Sequence, residues 1–150
     1  MLRNPALIPL SRQHHDGLAL CVLTRRGLAA DRSAENIARL AKRAVDHYEL
    51  ELAGHFRIEE QTLFPEVERR LGPLPLVAEL VAQHREMERL IEVLRGAPAG
   101  ALLEQLCEVL TAHIRREENE LFETLQARLP AEVLRELGAV IANRAARVCM

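Results

Sequence analysis

The chain has 150 residues with 20 basic and 22 acidic side chains, for a formal net charge of -2. Hydrophobic residues at 49% and charged residues at 28% supply a core and a solvated surface, which excludes disorder as the main state and fits one domain over 1–150. The near-balanced charge lacks the basic excess that phosphate neutralisation needs, so no nucleic-acid partner is expected. The longest apolar run, Leu18 to Leu23, is six residues, far short of the roughly 20 that cross a bilayer, so no membrane partner is expected either.

Aromatics are only 3% and Trp is absent, while Leu, Ala, Glu and Arg dominate, which selects an all-α fold. Arg3, Pro5 and Pro9 break up the N-terminal apolar stretch and no small-residue cleavage site follows, so a cytoplasmic protein is expected. Ser11 can cap a first helix running to about Ala29, with Leu10, Leu18, Cys21 and Leu28 near one stripe. Ser33 can cap a second, whose apolar series Ile37, Ala41, Ala44, Tyr48, Leu52 continues toward Pro65. The proline ring predicts a break or kink there, followed by a short extension to about Leu71. A third helix is expected from about Leu76 to Arg95 on Leu76, Leu80, His84, Met87, Ile91 and Leu94, ending at Gly96. The fourth starts near Ala101 and carries Leu102, Leu106, Leu110, His113, Leu121 and Leu125; a shorter last helix follows Pro130, from about Ala131 to Arg144. Short loops force neighbours to run opposite ways, giving an up-and-down antiparallel four-helix bundle with a short extra C-terminal helix that packs across an end or in a dimer.

Histidines occupy positions where leucines are expected. On the second helix Tyr48, Leu52, His55, Glu59 and Leu63 follow one face at steps of three and four, and on the fourth Leu106, Leu110, His113, Glu117 and Leu121 do the same. A buried carboxylate is costly unless paired or bound to metal, so Glu59 and Glu117 facing one core call for a cation. A His and a Glu four residues apart is also an ordinary surface contact worth about 0.2–0.5 kcal/mol, and the spacing recurs at His47/Glu51 and His84/Glu88. What separates two of the four pairs is an internal repeat: HFRIEEQTLF at 55–64 and HIRREENELF at 113–122 share six of ten residues, at His, Arg, Glu, Glu, Leu and Phe.

The third helix adds His84 and the first adds His14 or His15. His14 has Leu10 and Leu18 one turn either side, whereas His15 has Ser11 and Ala19, which favours His14. Four imidazoles and two carboxylates exceed one tetrahedral zinc and suit two metal ions bridged by carboxylates, with iron, manganese or zinc compatible by ligand type. Glu60 and Glu118 lie about 100° further round their helices and read as solvated or outer-sphere residues. Glu88 is intermediate and His47 reads as a surface histidine. Cys21, Cys107 and Cys149 are an odd number at wide spacing, which fits neither a disulfide framework nor a zinc ribbon; Cys21 and Cys107 read as small core residues.

These motifs, with LSRQHH at 10–15 and HREMERL at 84–90, resemble the hemerythrin-like, or HHE cation-binding, domains over nearly the whole chain. The resemblance implies a four-helix bundle around a non-haem centre of two iron ions with an oxo or hydroxo bridge, zinc or manganese being possible substitutes. Its ligands would be His14 (or His15), His55, Glu59, His84, His113 and Glu117, with Glu59 and Glu117 bridging. Oxygen-carrying hemerythrins place a second histidine one turn after the third-helix histidine, where this chain has Glu88. Two His per metal leave exchangeable positions, which suits chemistry with O2, peroxide or NO better than protected oxygen carriage. The absence of an ExxH motif disfavours the ferritin-like di-iron class. The expected role is a monomeric or homodimeric sensor, scavenger or carrier of a small oxidant, with possible peroxide- or NO-reducing activity; the competing expectation is iron storage or delivery without turnover.

Overall fold

The computed structural model describes residues 2–148, which leaves Cys149 outside the described residues. They are 90% helical, with no strand among them. Helix α1 spans Ile8–Ala30 and is entered through a 3-10 turn at Pro5–Leu7, where the Asn4 side chain accepts a hydrogen bond from the Ala6 amide. The start therefore lies before Ser11, whose hydroxyl is spent on a tertiary contact with Glu118 instead of a cap. Ser33 does cap the next helix, accepting from the Asn36 amide, while Asn36 Nδ2 donates to the carbonyls of Gly27 and Asp31 and ties the two helices together.

Helix α2 runs unbroken over 34–71. Its α-helical pieces Ala34–His47, Ala53–Ile58 and Phe64–Leu71 are joined by π-helical turns at Tyr48–Leu52 and Glu59–Leu63. The expected break at Pro65 does not occur, because the proline falls in the first turn of the resumed α-helix, where a missing N–H is tolerated. Helix α3 is Pro75–Gly96. Helix α4 covers 100–128 as Gly100–Arg116, a π turn at Glu117–Leu121 and Phe122–Arg128. That π turn occupies the same repeat positions as Glu59–Leu63, and Glu123 stands where α2 has Pro65. The widened turn thus belongs to the repeat and not to the proline.

Helix α5, Ala131–Val148, has 18 residues and is longer than its expected end at Arg144. It lies against the N-terminal turn, α1 and the middle of α2. Five helices are therefore present among the described residues. Their side-chain pairings descend on one helix as they ascend on its neighbour: Arg3–Gln126, Ser11–Glu118 and Arg32–Glu104 between α1 and α4, and Glu60–His84 and Glu49–Arg95 between α2 and α3.

The buried apolar residues form two clusters. One gathers Leu7, Leu10, Ile58, Leu63, Phe64, Leu80, Leu121, Phe122 and the inner face of α5; the other gathers Cys21, Leu40, Leu52, Phe56, Met87, Leu106, Leu110 and Ile114. On α1 the chain passes from Leu10 to Cys21, on α3 from Leu80 to Met87, and on α4 from Ile114 to Leu121. Each passage between clusters carries one or more of the predicted polar residues.

Packing of α5 depends on a missing side chain. A Cβ on Gly138 would stand 2.7 Å from Ala6 Cα and 2.8 Å from Ala6 Cβ, whereas one on Gly96 would meet nothing within 4 Å. Alanine is the better helix former by about 0.8–1.0 kcal/mol, but overpacking against backbone costs about 1–3 kcal/mol. Gly138→Ala should therefore lower the urea midpoint while Gly96→Ala should not. An equal or higher midpoint for Gly138→Ala would contradict the docking of α5 on the N-terminal turn.

Candidate metal centre

Six side chains meet between the two apolar clusters. His14, His55, Glu59, His84, His113 and Glu117 are exposed by 4, 1, 0, 0, 1 and 0% respectively. All four Nε2 atoms point at the two carboxylates. His14 Nε2 lies 3.0 Å from Glu117 Oε2, His113 Nε2 2.7 Å from Glu117 Oε1, His84 Nε2 3.1 Å from Glu59 Oε1 and His55 Nε2 3.4 Å from Glu59 Oε1. Two overlapping groups have ligand atoms within 4.8 Å of one another: His14, His55, Glu59 and Glu117, and Glu59, His84, His113 and Glu117. Either group could hold a metal ion, with Glu59 and Glu117 common to both.

The opposite edge of every ring is already held. His14 Nδ1–H donates to Glu118 (2.6 Å), His55 to the Gln13 side-chain oxygen (2.7 Å), His84 to Glu60 (2.8 Å) and His113 to the Gln83 side-chain oxygen (2.8 Å). A donor at Nδ1 leaves the lone pair on Nε2, the tautomer that metal ligation requires. Each group of four thus has one imidazole backed by a carboxylate and one by an amide. The carboxylates are held in turn, Glu118 by Ser11 and Arg3 and Glu60 by Arg85.

The repeat is also read out in aromatic contacts. Phe122 stacks on His14 at 5.5 Å and 17°, and its repeat partner Phe64 stacks on His84 at 5.9 Å and 17°. Phe56 covers the same His84 ring at 4.0 Å. These rings fix imidazole orientation and keep water from the layer.

Several buried atoms lack hydrogen-bond partners: His14 Nε2, His55 Nε2, Glu59 Oε2 and both oxygens of Glu117. Such orphans are expensive in a core, and their convergence on one space, with nitrogen and carboxylate oxygen donors only, fits divalent first-row metals. The charges adjust accordingly. Burial and the neighbouring Glu117 push Glu59 well above the carboxylate range. Burial acts the same way on Glu117, but His113, Glu59 and His14 outweigh it and hold it well below. Burial also opposes charge on His14, yet Glu117 and Glu118 raise it to about 9. Burial and the adjacent His14 drive His55 well below its ordinary value, and burial with His113 lowers His84 to about 3.

Of the alternatives, His15 is exposed and His14 is the residue that enters the layer. Glu88 faces outward, paired with Arg85. Glu60 and Glu118 accept from the Nδ1 atoms of His84 and His14. His47 is half-buried rather than on the surface, and burial lowers it. Sequence reasoning missed Gln13 and Gln83. Their signal was a second repeat, Leu-x-x-Gln-His at 10–14 and 80–84, which also distinguishes His14 from His15.

Protonated His14 and Glu59 compete with metal. With His14 raised to about 9, its second ring proton is held at pH 7 and must leave when a cation binds, so binding weakens as pH falls below about 9. Titrating zinc into the metal-free chain at pH 7 in weak buffer should release protons, that of His14 among them, read with a pH indicator. Zinc binding with no proton release would contradict these charge states.

The family model described as the hemerythrin HHE cation-binding domain matches residues 8–125, a stretch that contains all six residues of the layer. No curated protein and no solved structure matches the chain significantly. A match over residues 8–125 covers most of the chain, so the chain belongs to the hemerythrin HHE cation-binding domain family.

Proposed function

We propose that the chain is a single-domain, cytoplasmic protein in which α1 to α4 form an up-and-down bundle around two iron ions, and that it binds or reduces a small oxidant: O2, peroxide or NO. The observation that carries this reading is the pair of overlapping ligand groups sharing Glu59 and Glu117. His14 and His55 would hold one ion, His84 and His113 the other, and the two carboxylates would bridge them. When bound, such ions supply redox change and an open coordination position for a small ligand.

The chain's own residues do the rest. Gln13, Gln83, Glu60 and Glu118 keep each Nε2 aimed inward. Glu118 also makes His14 a more basic donor. Phe56, Phe64 and Phe122 exclude water from the layer. With Glu88 turned outward onto Arg85, each group offers only two imidazoles, which favours reaction over protected carriage. A surface pocket of about 220 Å³ reaches Phe56 and Glu60, two residues that touch His84 from outside, and gives a small molecule a short approach. A groove of about 690 Å³ between α2 and α5 is lined by none of the six.

The test is spectroscopic. Protein loaded anaerobically with ferrous iron should develop a visible charge-transfer band on exposure to hydrogen peroxide, O2 or NO. Glu59→Gln with Glu117→Gln should abolish that band while leaving the helical circular dichroism in place. Bound iron that exchanges freely and responds to none of the three oxidants would overturn the oxidant reading and favour storage or delivery.

A further inference from the structure

The second apolar cluster contains a feature that the metal centre does not use. Cys21 on α1 and Cys107 on α4 are exposed by only 1 and 2%. Cys21 Sγ lies 3.8 Å from the Cys107 carbonyl oxygen, and Cys107 Sγ lies 4.0 Å from the Cys21 carbonyl oxygen. Each thiol reaches the other residue's carbonyl, so both sulfurs lie at one crossing of α1 and α4. The crossing is tight there because Gly17, one turn earlier on α1, lets Ile114 approach; a Cβ at that position would be 3.2 Å from Ile114 Cδ1. The remaining polar groups at this spot are Thr24 and Thr111, whose buried hydroxyls have no hydrogen-bond partner. Two sulfurs and two hydroxyls do not make a zinc site.

We infer that Cys21 and Cys107 are a redox-active dithiol that closes to a reversible intrachain disulfide between α1 and α4 on reaction with a peroxide. The step balances as two thiols plus hydrogen peroxide giving one disulfide and two waters. The Cys21 sulfur attacks one peroxide oxygen, the O–O bond breaks, and the departing hydroxide leaves as water. The resulting sulfenic acid is then attacked by the Cys107 sulfur, which forms the S–S bond and expels the second water. Cys21 is the first nucleophile because the Cys107 hydrogen bond, working against burial and helped by the charge of Arg25, lowers its thiol to about 7. The same shared hydrogen bond, together with burial, pushes Cys107 above the ordinary thiol range, so it attacks second.

Cys21 is seven residues beyond His14 on α1, about 10 Å along the helix. The closed disulfide would clamp the helix carrying His14 to the one carrying His113 and Glu117. It would also let the chain consume one peroxide without metal, so the inference stands or falls separately from the iron reading.

The test uses the full chain carrying Cys149→Ser, metal-free, treated with hydrogen peroxide, then denatured, alkylated and peptide-mapped. Two alkylatable thiols should be lost per chain, a peptide with Cys21 should be linked to one with Cys107, and dithiothreitol should restore both. The oxidised chain should melt several degrees higher than the reduced one. In Cys107→Ser, Cys21 should stop at a sulfenic acid trapped by dimedone. If that variant does not fold, the map of the chain with both cysteines decides alone. Full alkylation of Cys21 and Cys107 after peroxide has oxidised the chain's methionines would overturn the proposal.

Discussion

A layer of four imidazoles and two carboxylates sits where the helices would otherwise meet through leucines, and its burial governs much of the surrounding structure. Glu59 and Glu117 are fully enclosed, and an unpaired carboxylate in such a place costs several kcal/mol. The chain lowers that cost by shifting Glu59 toward its neutral form, raising His14 to about 9 and backing every ring with a fixed acceptor. Apolar residues alone would pack this volume with less difficulty. Retaining the polar set is a departure from pure stability of the sort that functional sites show.

The layer also accounts for the backbone. Each inward glutamate begins a π turn, at Glu59–Leu63 and Glu117–Leu121, and such turns are frequent at functional sites. Beyond each turn the repeat delivers a Leu to the apolar cluster and a Phe onto a histidine of another helix. The two halves of the chain, α1 with α2 and α3 with α4, contribute equivalent parts. Each gives a Gln-His pair from one helix and a His, Glu, Glu, Leu, Phe series from the next.

The all-α class and the inward residues His55, Glu59, His84, His113 and Glu117 were readable from periodicity and from the ten-residue repeat, because both depend on side chains along one helix. Features set by contacts between distant segments were harder to read. Ser11 looks like a cap because its type and position suit one, but its hydroxyl serves Glu118, 107 residues away. Pro65 looks like a breaker until the preceding π turn places it at a helix start. Gln13 and Gln83 carry no local signal of burial; only the Leu-x-x-Gln-His match between α1 and α3 marks them. The length of α5 follows from its docking on the N-terminal turn through Gly138, which no periodicity within α5 announces.

In the proposed centre the shared carboxylates of Glu59 and Glu117 would define two metal positions in one layer. The most direct measurement is metal content per chain, by elemental analysis after anaerobic loading with ferrous iron and removal of unbound metal. Two irons per chain are expected. Retention of none, or of a single ion, would contradict the proposed centre.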